Sequence, residues 1–274
     1  MPYVWLTCVV LVLAGCAHQE LADRVEPVAS LFAQHAFAQQ EIVAEGFTLR
    51  SWQRTSANSG DMHVYIEGDG LAWVTRSQPS LNPTPLHSIV PTLAVQDTQA
   101  AQVVYLARPC QYVSLADRAC NQKYWTQARF AAEVVDAMSQ ALTRLKQQTL
   151  AQRLVLIGYS GGGALAVLIA AQRQDVAAIV TIAGNLDHKA WTDLHGISRL
   201  QGSLNPPQVA TALANIRQLH LVGGQDKNMP QQVYQSYRAA FPPQADIQLQ
   251  VIPEFDHRCC WQDRWPGLLQ PVLH

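Results

Sequence analysis

Gly158-Tyr159-Ser160-Gly161-Gly162 joins an apolar run, Leu154-Val155-Leu156-Ile157, to a small-residue apolar segment ending at Ala171. This reads as a strand, one sharp turn and a helix, with the serine at the turn. Gly158 and Gly162 lack a Cβ, so strand and helix can close tightly around Ser160. The turn exposes the Ser160 hydroxyl above a sheet, and the positive helix end behind it favours negative charge developing nearby. The five-residue pattern alone arises by chance in a chain this long roughly one time in ten. Its flanking context and the partners supplied elsewhere must therefore carry the reading.

The surrounding sequence gives the sheet. Phe47–Trp52, His63–Ile66, Val103–Leu106, Leu154–Ile157, Ala178–Ile182, Leu219–Val222 and Ile247–Ile252 are apolar or alternating runs that read as strands. Phe130, Val134, Met138, Leu142 and Leu145 recur at helical spacing and predict a long amphipathic helix over 124–148. Helices are also predicted over 231–241 and 261–270, and the stretch 186–208 reads as an irregular insertion able to cap a pocket. Strands alternating with helices imply an α/β fold, with a mainly parallel sheet covered on both faces. Sites in such sheets gather at the carboxyl ends of the strands.

A serine hydroxyl is a weak nucleophile until a base takes its proton, and the base is usually a histidine oriented by a carboxylate. After a nucleophile elbow the chain order is serine, acid, histidine. Asp226 follows the strand at 219–222 in Gly223-Gly224-Gln225-Asp226-Lys227-Asn228-Met229-Pro230, and His257 follows the last strand in Phe255-Asp256-His257. Asp187, after Ile182, is the competing acid. Asp226 also has a purely structural reading as a helix cap before Pro230. His63 and His220 fall inside strands, where core packing explains them. Asp256 adjoins His257 but points elsewhere.

With these residues in place, the chain resembles the α/β-hydrolase superfamily over about residues 46–274. The resemblance implies an α/β-hydrolase fold with a small cap insertion, and a serine hydrolase with catalytic residues Ser160, Asp226 and His257. It also implies an oxyanion hole in the loop after an early strand, often His-Gly-x-Gly. Here that loop is Glu67-Gly68-Asp69-Gly70, with Glu67 in the histidine's place. By position the amides of Gly161 and Asp69 bind the oxyanion, with Gly70 as the alternative to Asp69. No metal or organic cofactor is expected. The substrate is a small-molecule, lipid or peptide ester, with esters favoured over amides.

The N-terminus reads separately. Residues 4–14 are apolar, too short to span a membrane, and lead into Leu13-Ala14-Gly15-Cys16. This resembles the lipobox of bacterial lipoproteins. The resemblance implies a signal peptide over 1–15 and lipidation of Cys16. It places the protein at the outer membrane, facing the periplasm, on two acyl chains. The region before the apolar run carries no Lys or Arg. Residues 16–45 read as a tether and peripheral helix, with the hydrolase domain over 46–274. Cys110, Cys120, Cys259 and Cys260 are disulfide candidates in such a compartment. Cys110–Cys120 closes a short loop and is favoured, leaving Cys259 and Cys260 as a vicinal pair. Cross-pairing of the two clusters is the alternative.

Composition excludes other classes. The chain has 274 residues, is 49% hydrophobic and 14% charged, and carries a net charge of −1. It has no basic run or basic helix for nucleic acid. Gly161-x-Gly163-x-x-Ala166 formally matches a dinucleotide fingerprint, but its mid-chain position argues against that use. Arg76, Arg108 and Lys123 lie in loops at the predicted catalytic end. There they either hold a substrate anion or form loop salt bridges. Trp73, Trp125 and Trp191 either line a pocket or fill core. The alternative to an enzyme is a catalytically silent envelope lipoprotein of the same fold that binds a ligand or partner.

Overall fold

The computed structural model describes residues 21–116 and 119–273. The expected signal peptide over 1–15 and lipidation of Cys16 fall outside the described residues. The core is an eight-stranded sheet of order β1-β2-β4-β3-β5-β6-β7-β8. Its strands are β1 (Ala38–Ala44), β2 (Phe47–Arg54), β3 (Met62–Ile66), β4 (Gln102–Leu106), β5 (Leu154–Tyr159), β6 (Val176–Ile182), β7 (Arg217–Gly223) and β8 (Ile247–Ile252). The first two strands pair antiparallel and β2 runs antiparallel to β4. Every later pairing is parallel. This is the mainly parallel α/β-hydrolase sheet expected from the sequence.

Period-two alternation divides the core between two faces. In β3, Val64 and Ile66 join one apolar cluster while Tyr65 joins the other, and β5 splits in the same way between Leu154, Leu156 and Val155, Ile157. On the first face lie α3 (Ala132–Gln147), α4 (Gly161–Ala170) and α6 (Gln231–Arg238). On the second lie a helix over residues 21–34 (α1), α2 (Val90–Gln96) and α7 (Trp261–Leu273). Every residue of α4 is buried, so this helix has no solvent-facing side. In α7, Trp261 and Trp265 are fully buried, and Trp265 Nε1 donates to Tyr65 Oη at 3.0 Å.

Three segments depart from the sequence reading. The sheet begins at Ala38, inside the region read as tether, because residues 38–44 turn back at Glu45-Gly46 and pair along β2. The long helix starts at Ala132, not near 124. Phe130 is buried as its spacing required, but its backbone is tied elsewhere: its N–H donates to Ser203 Oγ and its C=O accepts from Leu204 N. A helix through this residue would break both bonds. The stretch 186–208 is more regular than its composition suggested. It contains α5 (His188–His195), capped by the Asp187 carboxylate and closed by Gly196 at φ 60°. A 3₁₀ helix (Pro206–Leu213) then opens with an Asn205–Gln208 capping box. Asp187 before the helix and glycine after it were the available signals.

Candidate active site

The turn after β5 carries Ser160 at φ 52° and ψ −119°, a conformation unfavourable for any residue with a Cβ. Neighbours without side chains hold it there. A Cβ on Gly158 would fall on the Gly162 backbone, and one on Gly162 would fall on the Ile66 and Glu67 carbonyls. Ser160 N donates to Ile182 O at 2.9 Å, and Ser160 O accepts from Asn185 N at 2.9 Å. These bonds pin the elbow to the end of β6.

The structure brings Ser160, His257 and Asp226 into one chain of contacts. His257 Nε2 lies 3.1 Å from Ser160 Oγ, and His257 Nδ1 lies 2.8 Å from Asp226 Oδ2. Asp226 Oδ1 accepts from Asn228 N and Met229 N, each at 2.8 Å. A carboxylate only accepts, so the proton facing it sits on Nδ1, leaving Nε2 to accept from the serine hydroxyl. The histidine loop is fixed from behind: the His257 carbonyl accepts from Tyr159 Oη at 3.0 Å and Trp261 Nε1 at 3.3 Å. The Asp226 side chain is fully buried, whereas that of His257 is 19% exposed, so the pair opens to the cleft only at the imidazole.

Other candidates lie elsewhere. Asp187 caps α5, and its carboxylate also accepts from Asn205 Nδ2 and Ser236 Oγ. Asp256 accepts from the amides of Arg258 and Cys259. Burial pushes the His220 imidazole down to about 3, and it bonds Thr181 and Gln218 in the core. His63 faces Asp97 at 2.6 Å. Lys123 lies 3.7 Å from Glu133 and over the Tyr124 ring.

The predicted oxyanion loop lies against the elbow. A Cβ placed on Gly161 would fall on the Asp69 carboxylate, which puts the two residues side by side. Among the described residues neither the Asp69 nor the Gly161 amide donates to a protein acceptor. The loop is anchored by two acids, Glu67, which is buried, and Asp69, whose side chain is 17% exposed. Glu67 accepts from Gly68 N at 2.7 Å, Ser88 Oγ at 2.6 Å and Tyr105 Oη at 2.6 Å. Burial raises its carboxyl above the ordinary range, and those three donors oppose the rise. Asp69 is gripped by Arg108 and by Arg129 Nη1, the latter at 2.5 Å. Burial alone would raise the Asp69 carboxyl, but Arg129 and then Arg108 outweigh it and bring it to about 2. Burial lowers the Arg108 guanidinium, with Asp69 opposing.

Arg108, one of the loop cations noted in the sequence, is therefore spent on Asp69. Arg129 escaped the sequence reading because it falls within the run assigned to the long helix. Only the turn there swings it toward Asp69, where Arg129 Nε also donates to Thr126 O at 2.7 Å. Cys110 and Cys120 form a disulfide, with Cα atoms 5.4 Å apart, and Cys259 and Cys260 form a vicinal one.

Residues 96–264 match the Dienelactone hydrolase family, a span that includes Ser160, Asp226 and His257. The chain belongs to this family. It is a hydrolase of the α/β-hydrolase superfamily. Solved structures agree on the fold. Est1E from Butyrivibrio proteoclasticus superposes with a TM-score of 0.62 at 11% identity, over 86% of this chain and 97% of its own. An esterase of Pyrococcus furiosus gives 0.58 at 12% identity, over 87% and 91%. An acetyl xylan esterase from Paenibacillus sp. R4 gives 0.59 at 12% identity, over 90% and 92%. No curated protein matches the sequence.

Proposed function

We propose that this hydrolase is a serine esterase in which Ser160 is the nucleophile, His257 the general base and acid, and Asp226 the residue that orients and charges the imidazole. The observation that carries this reading is the pair of contacts at His257, 3.1 Å to Ser160 Oγ and 2.8 Å to Asp226, at an elbow held in a strained conformation. Ser160 Oγ attacks the ester carbonyl as His257 Nε2 takes its proton. The carbonyl oxygen becomes an oxyanion facing the Asp69 and Gly161 amides. Collapse breaks the carbon–oxygen bond to the alcohol, which leaves with the proton from His257. Water then attacks the acyl-serine, giving its proton to His257, and the acid is released as Ser160 recovers its hydrogen. An ester is favoured over an amide because the esterases among the structural neighbours share this fold across most of both chains.

The same reading extends to the N-terminus: Cys16 carries lipid and holds the enzyme at the bacterial envelope, facing the periplasm. The Leu13-Ala14-Gly15-Cys16 sequence supports this. The disulfides at Cys110–Cys120 and Cys259–Cys260 suit that oxidising compartment.

The deciding experiment is labelling with a fluorophosphonate, read by intact mass in the parent and in Ser160→Ala. A single adduct lost in the variant supports the reading. A folded parent that takes no adduct sinks it and leaves a binding protein of hydrolase fold.

A further inference from the structure

Among the described residues, most of the exposed large apolar side chains fall in two segments. Trp73, Val74, Leu81 and Leu86 follow the Glu67–Gly70 loop, and Leu194, Ile197 and Leu204 belong to the insertion after β6. Of the others, Leu150 lies ahead of β5, at the amino end of the parallel strands, and Val43 on the edge strand β1. A groove of about 740 Å³ brings Trp73, Val74 and Ile197 to one rim. Asp69, Gly70, Trp191 and Asn228 line both this groove and the chamber at Ser160, and Leu86 lines the chamber as well. Apolar side chains gathered at one mouth mark an interaction surface, unlike the same residues scattered singly.

These side chains stand on ordered backbone. Val74 N donates to Gln78 O at 2.9 Å, Ser80 N to Ala72 O at 3.0 Å and Leu71 N to Pro83 O at 3.1 Å, closing a hairpin that carries Trp73, Val74 and Leu81. Trp125 Nε1 donates to Ser80 O at 3.0 Å, and Ala72 packs on Cys110 and Trp125. Leu81 is nonetheless 85% exposed and Val74 57%. Binding through a hairpin already held in place costs little ordering of the chain.

The same hairpin is tied to the start of the described chain. Arg24 Nη1, in the first turn of α1, donates to Asn82 O at 3.1 Å and Thr84 O at 3.0 Å. Arg24 and Leu31 of that helix share a hollow of about 590 Å³ with Leu86 and His87. Cys16 precedes Leu21 by five residues. That length of chain reaches at most about 17 Å. A bilayer holding Cys16 is therefore brought to the hairpin end of the molecule, away from Leu150. Charge permits the approach. Residues 70–96 contain no Asp or Glu, and Asp193 in the insertion pairs with Arg199 at 2.6 Å. Arg76 is exposed at the hairpin tip, where a cation favours an anionic leaflet. Tryptophan is the side chain most suited to the headgroup layer.

On the reading that Cys16 carries lipid, we infer that the Trp73–Leu81 hairpin, with Leu86 and Ile197, is a membrane-docking surface. It seats in the headgroup layer of the anchoring bilayer and turns the mouth of the Ser160 chamber toward the lipid. The anchor fixes one point, and the hairpin adds a second at high effective concentration, which sets the orientation.

The test uses the full lipoprotein, purified from a bacterial envelope and reconstituted in vesicles of phosphatidylethanolamine with a minor share of phosphatidylglycerol. The emission that Trp73→Phe removes is the Trp73 signal. Brominated acyl chains should quench that signal at least about twofold, with little quenching by aqueous iodide. Val74→Glu combined with Leu81→Glu should cut the lipid quenching at least about twofold, and Leu150→Glu should leave it unchanged. Circular dichroism checks that each variant folds. A Trp73 quenched by iodide and not by brominated chains overturns the inference and leaves the patch to a protein partner, with the anchor still standing. Lipid quenching indifferent to the charges at 74 and 81 overturns it too. Intact mass tests the anchor separately, since a chain without acyl groups refutes the Cys16 reading. Added to the same vesicles, that chain supports the docking surface if lipid still quenches Trp73, and refutes it if not.

Discussion

Replacing Asp69 with asparagine keeps the shape of the side chain and removes its charge. The Arg108 and Arg129 side chains that it neutralises are only 4% and 5% exposed. Breaking a buried pair by removing one partner costs about 3–5 kcal/mol, because the other charge stays buried. Asparagine still offers one acceptor but turns an N–H toward the other guanidinium. The loss at pH 7 is therefore expected at about 2–4 kcal/mol. The pH dependence supplies a second, independent number. Asp69 is held at about 2 against an ordinary 3.8, so its contribution is full above pH 3.8 and disappears as pH falls through 2. A displacement of that size corresponds to about 2 kcal/mol. Urea unfolding of parent and Asp69→Asn at pH 7, 5 and 2.5 should show a gap that is constant from 7 to 5 and narrows by about 1–2 kcal/mol at 2.5. If the Asp69 amide faces the oxyanion, ester turnover at pH 7 should fall about 10- to 100-fold in kcat with little change in KM. A gap below about 0.5 kcal/mol, or one that does not move with pH, would refute the clamp.

Three further outcomes follow from the same geometry. Asp226→Asn should lower kcat about 10⁴-fold without unfolding the protein, since it offers the imidazole the wrong tautomer; steady-state kinetics alongside circular dichroism checks this. His220 is held near 3 by burial against an ordinary 6.5, so it stays neutral while the unfolded chain takes up a proton. Its contribution is full above 6.5 and falls by up to about 1.4 kcal/mol per pH unit below that. His220→Asn should flatten the stability profile between pH 6 and 4 relative to the parent. Trp265→Ala should cost about 3–5 kcal/mol in urea unfolding, from the cavity left under α7 and the lost donor to Tyr65.

The sequence by itself determined the elbow, the alternation that makes a covered parallel sheet, and the positions of Asp226 and His257 after its late strands. These are local: a turn with glycines on both sides, an apolar period of two, and a residue just past a strand end are written in consecutive residues. The edge strand β1 was missed because its residues are polar on one side and gain order only by pairing with β2. The start of α3 was misplaced because Phe130 satisfies helical spacing while its backbone bonds run to Ser203 and Leu204, far along the chain. The same turn hid Arg129. Whether a cation holds a substrate or an internal acid depends on which groups three-dimensional closure places within a few ångströms. Closure put Arg108 and Arg129 on Asp69 and left Arg76 exposed. Side-chain charge is a property of the sequence, but its partner is chosen only when desolvation on folding makes an unpaired charge costly.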